Sequence, residues 1–155
     1  MINFRVLDDS QLIIDTLNNE RIYKAITDDF SPKKLEQIEF SPRVFFLGAY
    51  YDNDYCGLFV FDIHNVILYE VHTCLLPKVW GVSVEFTLAV REWIFTNTDC
   101  QRIITNVPES NKLALRLAKN SGFTQYGFNP SSIQKDNVLL GQYLLGVSKC
   151  QPSHL

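Results

Sequence analysis

Pro77-Lys78-Val79-Trp80-Gly81-Val82-Ser83 stands between a β-type run and a strongly amphipathic helix, and its reading decides the fold. Small residues at a helix entry allow close approach to the backbone, where free N–H groups and the positive end of the helix dipole attract an anion. The stretch therefore reads as a turn that offers unpaired amides to a diphosphate. Further along, residues 107–123 (VPESNKLALRLAKNSGF) read as a strand end, a capped helix and a glycine stop.

Upstream of the turn, residues 66–74 are a strand. Before it, residues 44–51 and 55–61, joined by Asp52-Asn53-Asp54, form a hairpin, and residues 62–65 turn the chain again. At the N-terminus, residues 4–7 make a weak strand, and Ser10 caps a helix to Leu17. Residues 20–27 make a second helical piece. Ser31, with Pro32 in the first turn, opens a short helical segment to Ile38.

Downstream, the helix over residues 82–95 carries Val84, Leu88, Arg91 and Phe95 near one stripe, with Ala89 and Trp93 beside it. Residues 101–107 form a strand. Ser110 or Glu109 starts the next helix, which Gly122 ends as a left-handed cap, and residues 123–128 and 138–147 supply two last strands. No repeat, low-complexity tract or linker divides the chain. These elements belong to one mixed α/β domain over residues 1–148, with residues 149–155 as a frayed tail.

The chain has 155 residues, 46% of them hydrophobic, which suits one domain with one core. Its 14 basic and 17 acidic residues form no stripe that would track a phosphate backbone, so nucleic acid is excluded as a partner. The greasiest run, residues 138–147, is broken by Gly141, Gln142 and Gly146 and is too short to span a bilayer; the expectation is a cytoplasmic protein without membrane contact. Cys56, Cys74, Cys100 and Cys150 are widely spaced and read as reduced thiols. His64, His72 and His154 show no metal-ligand spacing with Cys, Asp or Glu, so no metal is expected. The aromatics Phe45, Phe46, Tyr50, Tyr51, Phe59 and Phe61 alternate on paired strands and read as sheet filling.

Taken together, Lys78-Val-Trp-Gly81-Val-Ser83 and Asn111-x-x-Ala114, followed by Lys119 and Gly122-Phe123, resemble the paired cofactor motifs of the GNAT acyl-CoA acetyltransferases. The resemblance runs over residues 4–148. Trp80-Gly81 with Glu85 looks most like the branch of ribosomal-protein N-terminal acetyltransferases, although Lys78 and Ser83 depart from the usual Gln/Arg and Gly/Ala at the motif's ends. It implies a mixed, mostly antiparallel sheet of six or seven strands, α/β (α+β) in class, flanked by helices and splayed between two central strands. It implies acetyl-CoA as co-substrate, with Lys78, Val79, Gly81, Val82 and Ser83 around the diphosphate, Leu75 on the strand edge that pairs with the pantetheine arm, and Asn106, Asn111 and Ala114 at the opening. It also implies an amine acceptor, which is a protein N-terminus, a lysine or a small amine, in a monomer or homodimer. Acceptor choice would lie in residues 27–41 and in the last hairpin, residues 126–139.

Acetylating an amine requires its neutral form, and deprotonating a lysine-like amine at neutral pH costs about 4 kcal/mol over roughly three pKa units. Glu70 and His72 share one face of their strand through the period-two alternation and are the candidate bases. The other reading makes Glu70 a surface ion-pair partner and His72 a hydrogen-bonded strand residue. The tyrosine that many GNAT enzymes use to protonate the leaving thiolate is Ala118 here; the alternatives are Tyr126, Ser121 or water as the acid, or departure of the thiolate without a dedicated acid. Cys74 reads as core. Glu85 reads as a first-turn acid that caps the helix or pairs with Arg91 or Arg116. Two functions are compatible with these residues: direct acyl transfer to a primary amine in a ternary complex, or a catalytically weak module that binds acyl-CoA or a protein partner.

Overall fold

In the computed structural model, which describes residues 1–149, the elements in chain order are β1 (Ile2–Val6), α1 (Ser10–Leu17), α2 (Glu20–Ile26), β2 (Val44–Tyr51), β3 (Asp54–Asn65), β4 (Leu68–Leu75), a 3-10 helix (Pro77–Val82), α3 (Ser83–Asn97), β5 (Arg102–Pro108), α4 (Lys112–Asn120), β6 (Thr124–Lys135) and β7 (Val138–Ser148). The strands form one sheet in the order β1-β2-β3-β4-β5-β7-β6. All neighbours are antiparallel except β4 and β5. β3 buries Leu58 on one face and Phe59 and Phe61 on the other, so it needs cover on both sides. Phe86, Val90 and Ile94 of α3 cover the Phe59 face; Ile13 and Leu17 of α1 and Ile22 of α2 cover the Leu58 face. The expected mixed α/β class stands, and the aromatics of β2 and β3 fill the sheet as expected, with Phe45 and Phe61 stacked at 5.2 Å.

β4 and β5 are joined only at Leu68–Arg102, Tyr69–Ile103 and Glu70–Ile104. Each keeps its partner on the other side past that point, β4 with β3 as far as Leu75 and β5 with β7 as far as Pro108. Thr105 Oγ1 donates to Val71 O at 3.1 Å at the fork, and beyond it the strands part. The expected splay is therefore present, at the C-terminal ends of two parallel strands.

Several local expectations are corrected. Residues 31–38 form no helix. Ser31 Oγ accepts the Asp28 N–H inside a tight turn, and the Asn18 side chain both donates to Leu35 O and accepts from Leu35 N–H at 2.8 Å, holding the segment extended across α1. The caps are Asp9, accepting from Leu12 N–H, and Asn111, accepting from Ala114 N–H, rather than Ser10 and Ser110 or Glu109. The buried stripe of α3 is Phe86, Thr87, Val90, Ile94 and Phe95; Leu88 is exposed, because apolar residues surround this helix and the period alone does not select a face. Residues 62–65 continue β3, and the turn falls at Val66 and Ile67, where Asn65 Oδ1 accepts the N–H groups of Ile67 and Leu68. Gly122 does end α4, at φ +88°, with Phe123 N–H donating to Ala118 O. Lys149 N–H donates to Gln101 O; the rest of the expected tail, with Cys150 and His154, lies outside the described residues.

Gly57 lies opposite Leu75 at the end of β4, with φ +119°, and a Cβ there would stand 2.6 Å from Cys74 O and 2.7 Å from Leu75 Cα. Backbone cannot yield as a side-chain tip can. Gly57→Ala is expected to lower the unfolding free energy by about 2 kcal/mol or more, read as a shifted urea midpoint; an unchanged midpoint contradicts this packing.

Candidate functional site

The register of the β3–β4 ladder determines which backbone groups face the gap. Leu76 N–H donates to Cys56 O, which makes the even-numbered residues of β4 partners of β3. The N–H and C=O groups of Val71, Thr73 and Leu75 therefore point toward β5 and, past the fork, into the opening. Val71 O is taken by Thr105, and Leu75 O accepts the Trp80 indole N–H at 2.8 Å. The amides of Thr73 and Leu75 face the opening from an edge that β5 has left.

The opening continues into a cleft with two lobes. The narrower, of about 180 Å³, is lined by His72, Thr73, Thr105, Asn106 and Ala118, with Ile133 of β6 and Gln142 of β7 across it. The wider, of about 350 Å³, runs between α2, the start of α3 and α4, past Arg21, Trp80, Ser83, Leu113 and Arg116. Thr73, Asn111, Ala114 and Leu117 line both. Of the residues expected around a cofactor, Leu75 and Ser83 line the wider lobe, Asn106 the narrower, and Asn111 and Ala114 both. Asn111 Oδ1 is spent on capping α4, so its amide NH₂ is the end left for a ligand.

The turn differs from its expected form. Residues 77–82 coil into a 3-10 helix that runs directly into α3, so its i to i+3 bonds consume amides. Val79 N–H donates to Leu76 O at 3.0 Å, and Ser83 N–H donates to Trp80 O. These two amides, expected to be unpaired, are bonded within the chain. Lys78 Nζ forms a surface pair with Asp54 Oδ2 at 3.0 Å, worth at most about 1 kcal/mol, and Val82 is exposed outside the cleft. A Cβ at Gly81 would meet nothing within 4 Å, so the fold itself does not demand glycine there. Two cationic side chains, neither foreseen around a cofactor, stand at the wider lobe instead: Arg116 of α4 and Arg21 of α2, whose guanidinium lies 4.4 Å over the Trp80 ring.

Glu70 and His72 do share a face, and β3 adds Asp62 and His64 to it. His72 Nε2 lies 3.2 Å from Asp62 Oδ2 and 3.3 Å from Glu70 Oε2, while His64 Nε2 lies 3.0 Å from Glu70 Oε1. The hydrogen bond from His72 holds the Glu70 carboxyl below its ordinary value, with burial opposing. The same bond, again against burial, holds the His72 imidazole above its ordinary value. Glu70 is thereby a poor proton acceptor and a good orienter, whereas His72, which lines the narrow lobe, is the better acceptor. With Nε2 committed to carboxylates, Nδ1 is its remaining basic nitrogen.

Other candidates stand away from the cleft. Tyr126 is exposed beneath Arg102, and Ser121 is fully buried behind α4 with its carbonyl accepting from Arg91 Nη1 at 2.8 Å. Glu85 is exposed at the start of α3, and the carboxylate beside Arg91 is that of Glu92, at 4.0 Å. Cys74 is buried, which pushes its thiol up to about 12 and makes it inert, as a core residue is. Among the described residues, no helix is long and apolar enough to cross a membrane.

No family model matches the chain, and no curated protein sequence matches it. Solved structures do match its fold. A spermidine N-acetyltransferase from Vibrio cholerae in complex with CoA and spermine superposes with a TM-score of 0.76 at 15% identity over 96% of this chain and 95% of that one. An acetyltransferase of the GNAT family from Bacillus anthracis gives 0.70 at 18% identity, over 95% and 94%. Mycobacterium smegmatis RimJ in complex with CoA-disulfide gives 0.60 at 14% identity, over 69% of this chain and 54% of that one. The architecture is that of the GNAT acetyltransferases, with seven strands and four α-helices among the described residues.

The His72–Glu70 pair sets a pH dependence. His72 binds its proton more tightly folded than unfolded, so its contribution to stability is whole below its ordinary 6.5 and is lost as pH rises through the raised value. Glu70 contributes above its ordinary 4.5 and loses that contribution as pH falls through its lowered value. In a chelator-containing buffer, NMR titration of His72 is expected to show a raised midpoint that falls in Glu70→Gln. A midpoint that does not move excludes the pairing.

Proposed function

We propose that this protein is an acyl-CoA-dependent N-acyltransferase that transfers acetyl from acetyl-CoA to a primary amine by direct transfer in a ternary complex. The observation that carries the reading is the parting of β4 from β5 beside His72, which puts unpaired strand amides and a carboxylate-backed imidazole on one cleft. The fold is shared with a spermidine N-acetyltransferase whose structure holds CoA and spermine, which supports an amine as acceptor and CoA as carrier.

In this reading the wider lobe takes the coenzyme A moiety. Arg21 and Arg116 meet its diphosphate with charge, a task that the bonded amides of Val79 and Ser83 do not perform. The co-substrate supplies an activated thioester. His72 Nδ1 accepts the ammonium proton of the incoming amine, and Asp62 and Glu70 stabilise the imidazolium through Nε2–H. The Thr73 or Leu75 N–H donates to the thioester oxygen as negative charge builds there. The amine nitrogen bonds to the acyl carbon as the carbon–sulfur bond breaks, and the second proton lost by nitrogen ends on the departing sulfur. Ala118 supplies no acid, so that proton travels through water or from the amine itself.

The bonded turn amides and Ala118 favour a second reading, a module of this fold that binds acyl-CoA without turnover. Thiol release from acetyl-CoA, measured with peptides bearing free N-termini, lysine peptides and polyamines, separates the two. Transfer is expected with one of these classes, falling about 100-fold in His72→Gln with coenzyme A affinity kept. Arg21→Ala with Arg116→Ala is expected to raise the KM for acetyl-CoA about tenfold or more. Coenzyme A binding without thiol release from any acceptor supports the module instead; no binding at all removes both readings.

A further inference from the structure

We infer that Asp62, Glu70 and His72 form a binding site for one divalent transition-metal ion, Zn²⁺ by its chemistry, with His64 as an outer partner. One ligand atom from each of the three lies within 4.8 Å of the others. His72 Nε2 stands 3.2 Å from Asp62 Oδ2 and 3.3 Å from Glu70 Oε2. Around zinc, bonds of about 2.0–2.1 Å at tetrahedral angles put neighbouring ligand atoms about 3.3 Å apart, so the two edges that meet at His72 Nε2 already have that length, and the third, between the carboxylates, lies within 4.8 Å. Two carboxylates and a neutral imidazole carry a charge that a divalent ion cancels, and a mixed nitrogen and oxygen set suits zinc better than magnesium or calcium. His64 Nε2 bonds the second oxygen of Glu70 at 3.0 Å, the outer-shell contact that orients a ligating carboxylate. The side chains are between 16% and 41% exposed, which leaves an entry path and a fourth position for water.

The pattern is written across two antiparallel strands: Asp62 of β3 is paired with Glu70 of β4 in register, and His64 and His72 lie two residues further along their own strands, on opposite sides of that pair. Alternation turns all four side chains to one face. Bound zinc would occupy Nε2 and leave the proton on Nδ1, so the ion would switch off the base. That consequence rests on the proposed transferase reading, whereas binding itself does not.

The test is calorimetric titration of the chelator-stripped full chain with ZnCl₂, together with Co²⁺ as a spectroscopic probe. One ion per chain is expected, with visible d–d absorption from Co²⁺ that Zn²⁺ displaces. Affinity should fall at least 100-fold in Asp62→Asn and in His72→Gln, and about tenfold in His64→Gln. Thermal melts of the metal-free variants show whether each is folded. In the wild-type chain itself, Zn²⁺ should shift the His72 ring signals in NMR spectra. Absence of binding, binding that survives both ligand substitutions in folded variants, or unmoved His72 signals at saturation would overturn the site. Binding without any effect on transfer leaves the site standing and removes only its coupling to the base.

Discussion

Everything functional in this molecule depends on the fork after Glu70 and Ile104, where two parallel strands stop sharing hydrogen bonds. A buried strand edge that loses its partner strands amides and carbonyls in a low-dielectric place, and such groups are costly unless something answers them. The chain answers some itself: Thr105 caps Val71 O, and Trp80 reaches back to Leu75 O. The amides of Thr73 and Leu75 are left facing the cleft, and in the proposed function an extended ligand completes the sheet there. The rest of the fold secures this fork, through the close approach of Gly57 under Leu75, the helical layers on both faces, and Asn111 and Gly122 fixing the two ends of α4.

Two features sit on the rims of that opening and pull in different chemical directions. At the wide lobe, Arg21 and Arg116 gather positive charge beside a turn whose amides at Val79 and Ser83 are already bonded. His72 lines the narrow lobe, and behind it Asp62, His64 and Glu70 gather on the paired strands, so that its imidazole is held between two carboxylates. In the proposed readings one constellation serves both as a supported base and as a nest for a divalent ion, because both require a lone pair next to concentrated negative charge.

Much of this architecture was legible in the residues. The alternation of β2 and β3, the Gly122 stop and the pairing of a helix-entry turn with an Asn-containing helix all point to the fold, since each is a local signal with a local cause. The losses have physical reasons as well. Residues 62–65 look like a turn by composition, yet the ladder continues through them, and that continuation pairs Asp62 with Glu70 and brings the side chains of His64 and His72 to the same carboxylate. Spacing along the sequence does not reveal the grouping of Asp62, Glu70 and His72, because its members come from two strands of the sheet. Ser31-Pro32 carries a helix-start signal that loses to the Asn18 clamp on Leu35, a contact seventeen residues apart that no window contains. The turn at Gly81 was read from residue size, but whether amides are free is decided by the coil they adopt.

The open edge of β4 is the central claim, and amide NMR tests it directly. On titration with coenzyme A, the account predicts that the Thr73 and Leu75 amide signals move first and furthest, together with that of Ala114 at the start of α4. Perturbations confined to other parts of the chain, or none at millimolar coenzyme A, would contradict it.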